Sequence, residues 1–145
     1  SLNDYVTPDG IDYIGFFVAT AGEKSRLVSN ELKEKGEFYK GHIVNSIGLE
    51  LAEATSEYIH KMMRQDVGII DKNISLNEIL NAQYQGNRYS FGYPACPDLS
   101  DQRKLFNLLK PERYGITLTE EFMMYPEATV SAIVFSQPFC KYFNM

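Results

Sequence analysis

From Glu37 to Arg64 the chain carries Tyr39, Ile43, Ile47, Leu51, Ala54, Tyr58 and Met62 at intervals of three and four residues. That spacing predicts one long helix with a continuous apolar stripe, widened by Val44, Ile59 and Met63, and an element of that length has to be central to whatever the chain builds. Most of its circumference is expected to be buried. Gly41 and Gly48 each cost roughly 1 kcal/mol relative to alanine inside a helix, so their presence predicts that another backbone packs closely there. The polar side collects His42, Ser46, Glu50, Glu53, Glu57 and His60 and is expected to be solvated. His42 and His60 lie too far apart along one helix to share a metal ion, and neither is assigned a ligand role.

Shorter elements flank this helix. Thr7-Pro8-Asp9-Gly10 is a turn signal in an irregular lead-in, and Asp12 to Thr20 reads as a strand covered on both faces. Glu23 to Lys35 places Leu27, Val28 and Leu32 on an amphipathic helix stopped by Gly36. Ser75-Leu76-Asn77-Glu78 is a capping box opening a helix to about Gln83, and Asp98 or Ser100 can cap another through Leu109, ended by Pro111. Ile116 to Tyr125 and Ala128 to Ser136 alternate like strands and predict an antiparallel hairpin turning at Tyr125-Pro126. The fold class expected is α+β, an antiparallel sheet with a long central helix and shorter helices packed on it. With 145 residues and 44% hydrophobic content, residues 1–145 are expected to form a single domain.

Composition excludes several functions. A net charge of −5 without a basic run argues against nucleic-acid partners. The apolar stretch from Tyr13 to Ala21 is too short to span a bilayer and the first residues lack a basic leader, so a cytoplasmic protein with no membrane partner is expected. Cys96 and Cys140 are too few for a disulfide framework and match no zinc spacing. The start at serine suggests a piece cut from a longer polypeptide or from a tagged chain.

The stretch richest in chemistry is Arg88-Tyr89-Ser90-Phe91-Gly92-Tyr93-Pro94-Ala95-Cys96-Pro97. Pro94 and Pro97 remove two backbone donors and force Tyr93 and Cys96 towards extended geometry, which excludes a helix and makes a poor central strand. Gly92 allows a positive φ or a close approach to the main chain. Arg88 offers a planar fork suited to a carboxylate. Residue types alone leave two readings: a site for a zwitterionic ligand with a flat ring, or a punctuated loop with Arg88 in a surface ion pair.

Arg-x-x-x-Gly-Tyr-Pro-Ala-Cys-Pro resembles the S-adenosylmethionine-binding motif in the activation domain of cobalamin-dependent methionine synthase. Asp12-Tyr13-Ile14-Gly15-Phe16-Phe17, Leu51-Ala52-Glu53-Ala54, Glu57-Tyr58-Ile59-His60, Tyr84-Gln85-Gly86 and Lys141-Tyr142-Phe143 are similar to the same family in the same order. The likeness covers nearly all of this chain but only the later part of the family's domain. It implies a module that binds S-adenosylmethionine and presents its methyl group to cobalamin, held by a partner domain and reduced by a flavodoxin-like protein, so that an oxidised enzyme re-enters turnover. Such a module is part of a methyltransferase and is not expected to be catalytic alone.

By the same resemblance Arg88 binds the ligand carboxylate, the main chain at Ser90, Gly92 and Tyr93 receives adenine and ribose, Glu53 faces the cationic end, and Tyr142 belongs to the site. Phe143 stands where a second tyrosine is common. No catalytic residue is implied, since the task is positioning. Ala82 occurs where an acidic residue is expected, the family's early aspartate has no counterpart, and the Asp-x-His-x-x-Gly motif that holds cobalamin is missing. The missing early segment and Ala82 motivate an alternative, a docking module that contacts the cobalamin domain or flavodoxin without binding S-adenosylmethionine.

Overall fold

A computed structural model describes residues 2–71 and 73–140. Strand β1 is Ile14–Thr20, and helices α1 (Lys24–Glu34) and α2 (Phe38–Asp66) follow it. A short helix α3 (Leu76–Leu80) leads to strand β2 (Asn87–Tyr89) and then α4 (Gln102–Leu109). Strands β3 (Thr117–Leu118), β4 (Met124–Tyr125) and β5 (Thr129–Phe135) follow. The α+β class and the long helix are as expected. Among the described residues no helix is long and apolar enough to cross a membrane.

The main sheet has the order β1-β5-β2, with β5 antiparallel to both neighbours. A 7-residue strand of Thr129-Val130-Ser131-Ala132-Ile133-Val134-Phe135 with almost every position buried suits that central place. The expected hairpin between 116–125 and 128–136 does not form, because β1 and β2 already occupy both edges of β5. The residues before it fold back on themselves instead, pairing Thr117 with Tyr125 and Leu118 with Met124 in a separate ladder. Strand β1 is also shorter than expected and is covered only towards its end: Phe17 and Ala19 are buried, while Ile14 and Phe16 remain exposed.

Each face of the sheet has its own core. On the α2 side Phe17, Ala19, Ala132 and Val134 pack with Ile59 and Met63. On the other side Tyr89, Phe91, Ile133, Phe135, Cys96 and Cys140 pack with Leu105 of α4 and with Tyr5, whose ring stacks on Tyr89 at 4.8 Å. Both cysteines are free and buried.

Helix α2 is where the structure corrects the sequence most. The large apolar stripe faces out: Tyr39 is 78% exposed, Ile47 61%, and Ile43, Leu51, Tyr58 and Met62 are exposed too. The buried face is Gly41, Gly48, Ala52, Ser56, His60 and Arg64. Close packing explains the inversion. A Cβ at Gly41 would lie 2.7 Å from the carbonyl oxygen of Ser29, and one at Gly48 would lie 2.6 Å from the Ser25 Cβ, so α1 rests directly on the α2 backbone. The same exchange occurs in α1, whose buried residue is Ser29 while Leu27 and Val28 are exposed. His60, expected in solvent, is wholly buried.

Helix α3 opens with the expected capping box: the Glu78 amide donates to Ser75 Oγ and the Ser75 amide to Glu78 Oε2. It stops at Leu80, short of Gln83, and Ala82 adopts φ 49°. Asp98 caps the 3-10 turn Leu99–Asp101 ahead of α4 by accepting from the Ser100 amide at 2.9 Å.

Candidate functional site

Strand register brings the site together. Arg88 pairs with Val134 and Tyr89 with Ile133, and residues opposite one another in a ladder share a face. Arg88 therefore projects to the α2 side, whereas Tyr89 enters the opposite core. Strand β2 ends within two residues. There Gly92 takes φ 83°, as its lack of a Cβ allows, and its amide donates to the Cys96 carbonyl at 2.8 Å. The Cys96 amide donates back to the Tyr93 carbonyl at 2.8 Å, so the Pro94-Ala95 tip is held as a tight turn rather than a loose loop.

A cavity of about 250 Å³ lies between this turn, α2 and the start of α4. Glu53 enters from α2, and Arg88, Ser90, Phe91 and Tyr93 from the β2 segment. Leu99 and Gln102 lie at the α4 end, Met123 and Met124 on the small ladder, and Thr129, Val130 and Ser131 on β5. The floor is polar and satisfied: Ser131 Oγ donates to Gln102 Oε1 at 2.8 Å, and Gln102 Nε2 donates to the Phe122 carbonyl at 2.9 Å. Gln102 and Ser131 are both buried.

Arg88 and Glu53 give the cavity its charges. Arg88 Nη2 lies 3.4 Å from Glu53 Oε2, and Arg88 Nη1 donates to Glu57 one helical turn further along. Burial works against the arginine charge, but the charge and hydrogen bond of Glu57, helped by Tyr84 and Glu53, hold its pKa above the ordinary value. Glu53 is 57% exposed and Glu57 only 24%. A guanidinium and an open carboxylate at one mouth complement the two charges of an amino acid, and Phe91, Tyr93 and the two methionines supply apolar and polarisable walls. Among the described residues no cluster of histidine, cysteine and carboxylate side chains could hold a metal ion.

Of the residues expected to form a site, Arg88, Glu53, Ser90 and Tyr93 line one cavity, with Gly92 shaping the turn that carries them. Tyr142 and Phe143 lie outside the described residues. The chain does come back towards the site as far as Cys140, whose carbonyl accepts from Asn87 Nδ2 at 2.8 Å, next to Arg88. Sequence reasoning missed Gln102, Ser131 and the part played by Glu57. The first two carry no local signal, whereas Glu57 stands four residues after Glu53 and so shares its helix face.

Comparison with known proteins gives the family. The model of the vitamin B12 dependent methionine synthase activation domain matches residues 1–145. The chain is 36% identical over 142 residues to "Methionine synthase" of Mycobacterium tuberculosis (strain ATCC 25618 / H37Rv) and 34% identical to that of Mycobacterium leprae (strain TN). Each match covers 93% of this chain and 12% of the relative, so the chain spans about an eighth of their length. A solved structure described as the crystal structure of the MetH reactivation domain bound to AdoHcy superposes with a TM-score of 0.88 at 34% identity, over 98% of this chain and 46% of that one.

Proposed function

Because this chain belongs to the family of vitamin B12 dependent methionine synthase activation domains, we propose that it binds S-adenosylmethionine and delivers its methyl group for reactivation of that enzyme. One observation carries the reading: Arg88, Glu53, Ser90 and Tyr93 converge on a single cavity, in a fold shared with a reactivation domain solved with AdoHcy. AdoHcy is what remains of S-adenosylmethionine after methyl transfer, so it has the same carboxylate, ammonium and adenosine.

Arg88 grips the ligand carboxylate, and Glu53 favours the neighbouring ammonium or sulfonium charge. The main chain at Ser90, Gly92 and Tyr93 receives the adenosine, with Tyr142 and Phe143 contributing from the tail. Cobalamin, carried by a partner domain and reduced by a flavodoxin-like protein, supplies the nucleophile that takes the methyl group. This chain therefore needs no general base: it holds the methyl group in line for transfer, and the C–S bonding pair leaves with the sulfur.

Calorimetric titration with S-adenosylmethionine tests the proposal. Saturable binding is expected, weakened about 10-fold or more by Arg88→Ala, since a hydrogen-bonded charge contributes about 1.5–3 kcal/mol. A folded wild-type chain that shows no binding overturns it. The exposed apolar stripe of α2 favours a second reading, a docking module alone. That reading requires association with the cobalamin domain to be indifferent to S-adenosylmethionine.

A further inference from the structure

Arg88 sits between two cavities. On one side is the cavity described above; on the other is a second of about 360 Å³, lined by Glu57, Ile79, Leu80, Tyr84 and Asn87. Glu57 reaches Arg88 only from this second side and does not touch the first cavity. Its route to a ligand there runs through Arg88.

Two donors and a nearby cation surround the Glu57 carboxylate. Arg88 Nη1 and Tyr84 Oη both donate to Oε2, the latter at 2.9 Å, while Arg64 Nη1 lies 3.9 Å from Oε1. Arg64 is itself fixed, paired with Asp71 and stacked with its guanidinium carbon 3.8 Å from the centre of the Tyr84 ring. His60 packs edge-on against the same ring at 5.4 Å. Side chains from α2, the Tyr84 link and β2 thus converge on one carboxylate that the reading of the site leaves without a role. Arg64 and Asp71 are almost entirely buried.

Glu57 and Glu53 compete for the same guanidinium. Arg88 Nη2 already lies within 3.4 Å of Glu53, and without the Glu57 charge the fork would close onto Glu53. That would occupy both groups meant for the ligand. We propose that Glu57 is a positioning residue that shares the Arg88 guanidinium with Glu53 and keeps the fork from closing onto Glu53, and so sets the preference for a ligand bearing a carboxylate. The inference rests on the proposed function, and it concerns selectivity between ligands.

The test compares S-adenosylmethionine with its decarboxylated analogue by calorimetry on the full chain. Wild-type protein is expected to prefer the carboxylate-bearing ligand. Glu57→Gln keeps the side-chain shape and an acceptor for Tyr84 but loses the charge; it should weaken S-adenosylmethionine about 10-fold while changing the analogue less than about twofold. Equal weakening of both ligands, as a merely structural role gives, overturns the inference. So does no change, or tighter binding of S-adenosylmethionine, which would show Glu57 to be only a competitor of the ligand for Arg88. Wild-type protein that binds both ligands equally removes the carboxylate from Arg88 and the inference with it. Wild-type protein that binds neither overturns the functional reading itself, which separates the two failures. If Glu57→Gln does not fold, Tyr84→Phe decides: it removes one of the two hydrogen bonds that fix Glu57 Oε2 without altering charge and should shift the preference the same way by about two- to threefold. An unshifted preference in Tyr84→Phe then counts against the role of Glu57.

Discussion

Gly48→Ala is expected to destabilise the protein, although alanine is the better helix former. Gly48 lies well inside α2, five residues before Glu53, and its backbone faces Ser25 of α1. An added Cβ would stand 2.6 Å from the Ser25 Cβ and 2.1 Å from its Oγ, with Ala128 Cβ at 3.9 Å on the far side. Carbon atoms pack best at about 3.5–4.0 Å, so α1 would have to withdraw by about 1 Å. Rotating Ser25 moves only the hydroxyl and leaves the Cβ clash in place. Overpacking of that kind costs about 2–3 kcal/mol, and the gain in helix propensity returns about 1, leaving a net loss of about 1–2 kcal/mol. Urea denaturation followed by circular dichroism should show a lower midpoint with an unchanged slope. A second substitution sharpens the claim. Ser25→Gly in the Gly48→Ala background removes both clashing atoms and should restore most of the loss, whereas Ser25→Ala removes only the Oγ and should restore little. Stabilisation by Gly48→Ala alone, or equal rescue by the two Ser25 substitutions, refutes the close approach of α1 and α2.

Two further outcomes concern the buried cluster behind Arg88. Burial, then the charges of Arg64 and Arg88, lower the His60 pKa to about 3. The unfolded chain therefore takes up a proton below pH 6.5 that the folded chain refuses, and stability should fall as pH drops from about 6.5 towards 3, by up to about 1.4 kcal/mol per pH unit. His60→Leu should remove that one-proton slope from pH-dependent denaturation, and an unchanged slope would show that His60 is protonated in the fold. Arg64→Ala leaves Asp71 buried without its cation and should cost about 3–5 kcal/mol in the same assay, while a loss under about 1 kcal/mol would show Asp71 finding water instead.

The legible parts of this chain were those whose physics is local. The Ser75–Glu78 capping box and the positive φ at Gly92 depend on neighbours within a few residues and appear as expected, while Asp98, one of two caps expected for the helix through Leu109, caps the 3-10 turn just ahead of it. Gly41 and Gly48 correctly announced a close backbone. The same helix spacing predicts burial of the large apolar stripe of α2 as well, and the structure reverses it. A helix pressed on another at glycine and serine must bury its small face, and Tyr39, Ile43, Ile47 and Leu51 then turn outward together. Periodicity finds the faces of a helix, and packing distance decides which one is inside.

Strand pairing was beyond reach for a similar reason. Strand β5 is buried at nearly every position, so its pattern marks a strand without naming its partners, and the nearest strand in sequence is not one of them. The site inherits this. Which carboxylate Arg88 meets depends on its pairing with Val134, a contact between distant residues that turns the side chain towards α2. Had β2 slipped by one position, Tyr89 would face Glu57 and Arg88 would enter the core among Phe91, Ile133 and Phe135, where an unpaired guanidinium is untenable. Ion pairing with Glu57 and burial of Tyr89 therefore select the same register, and the fold and the carboxylate fork stand or fall together.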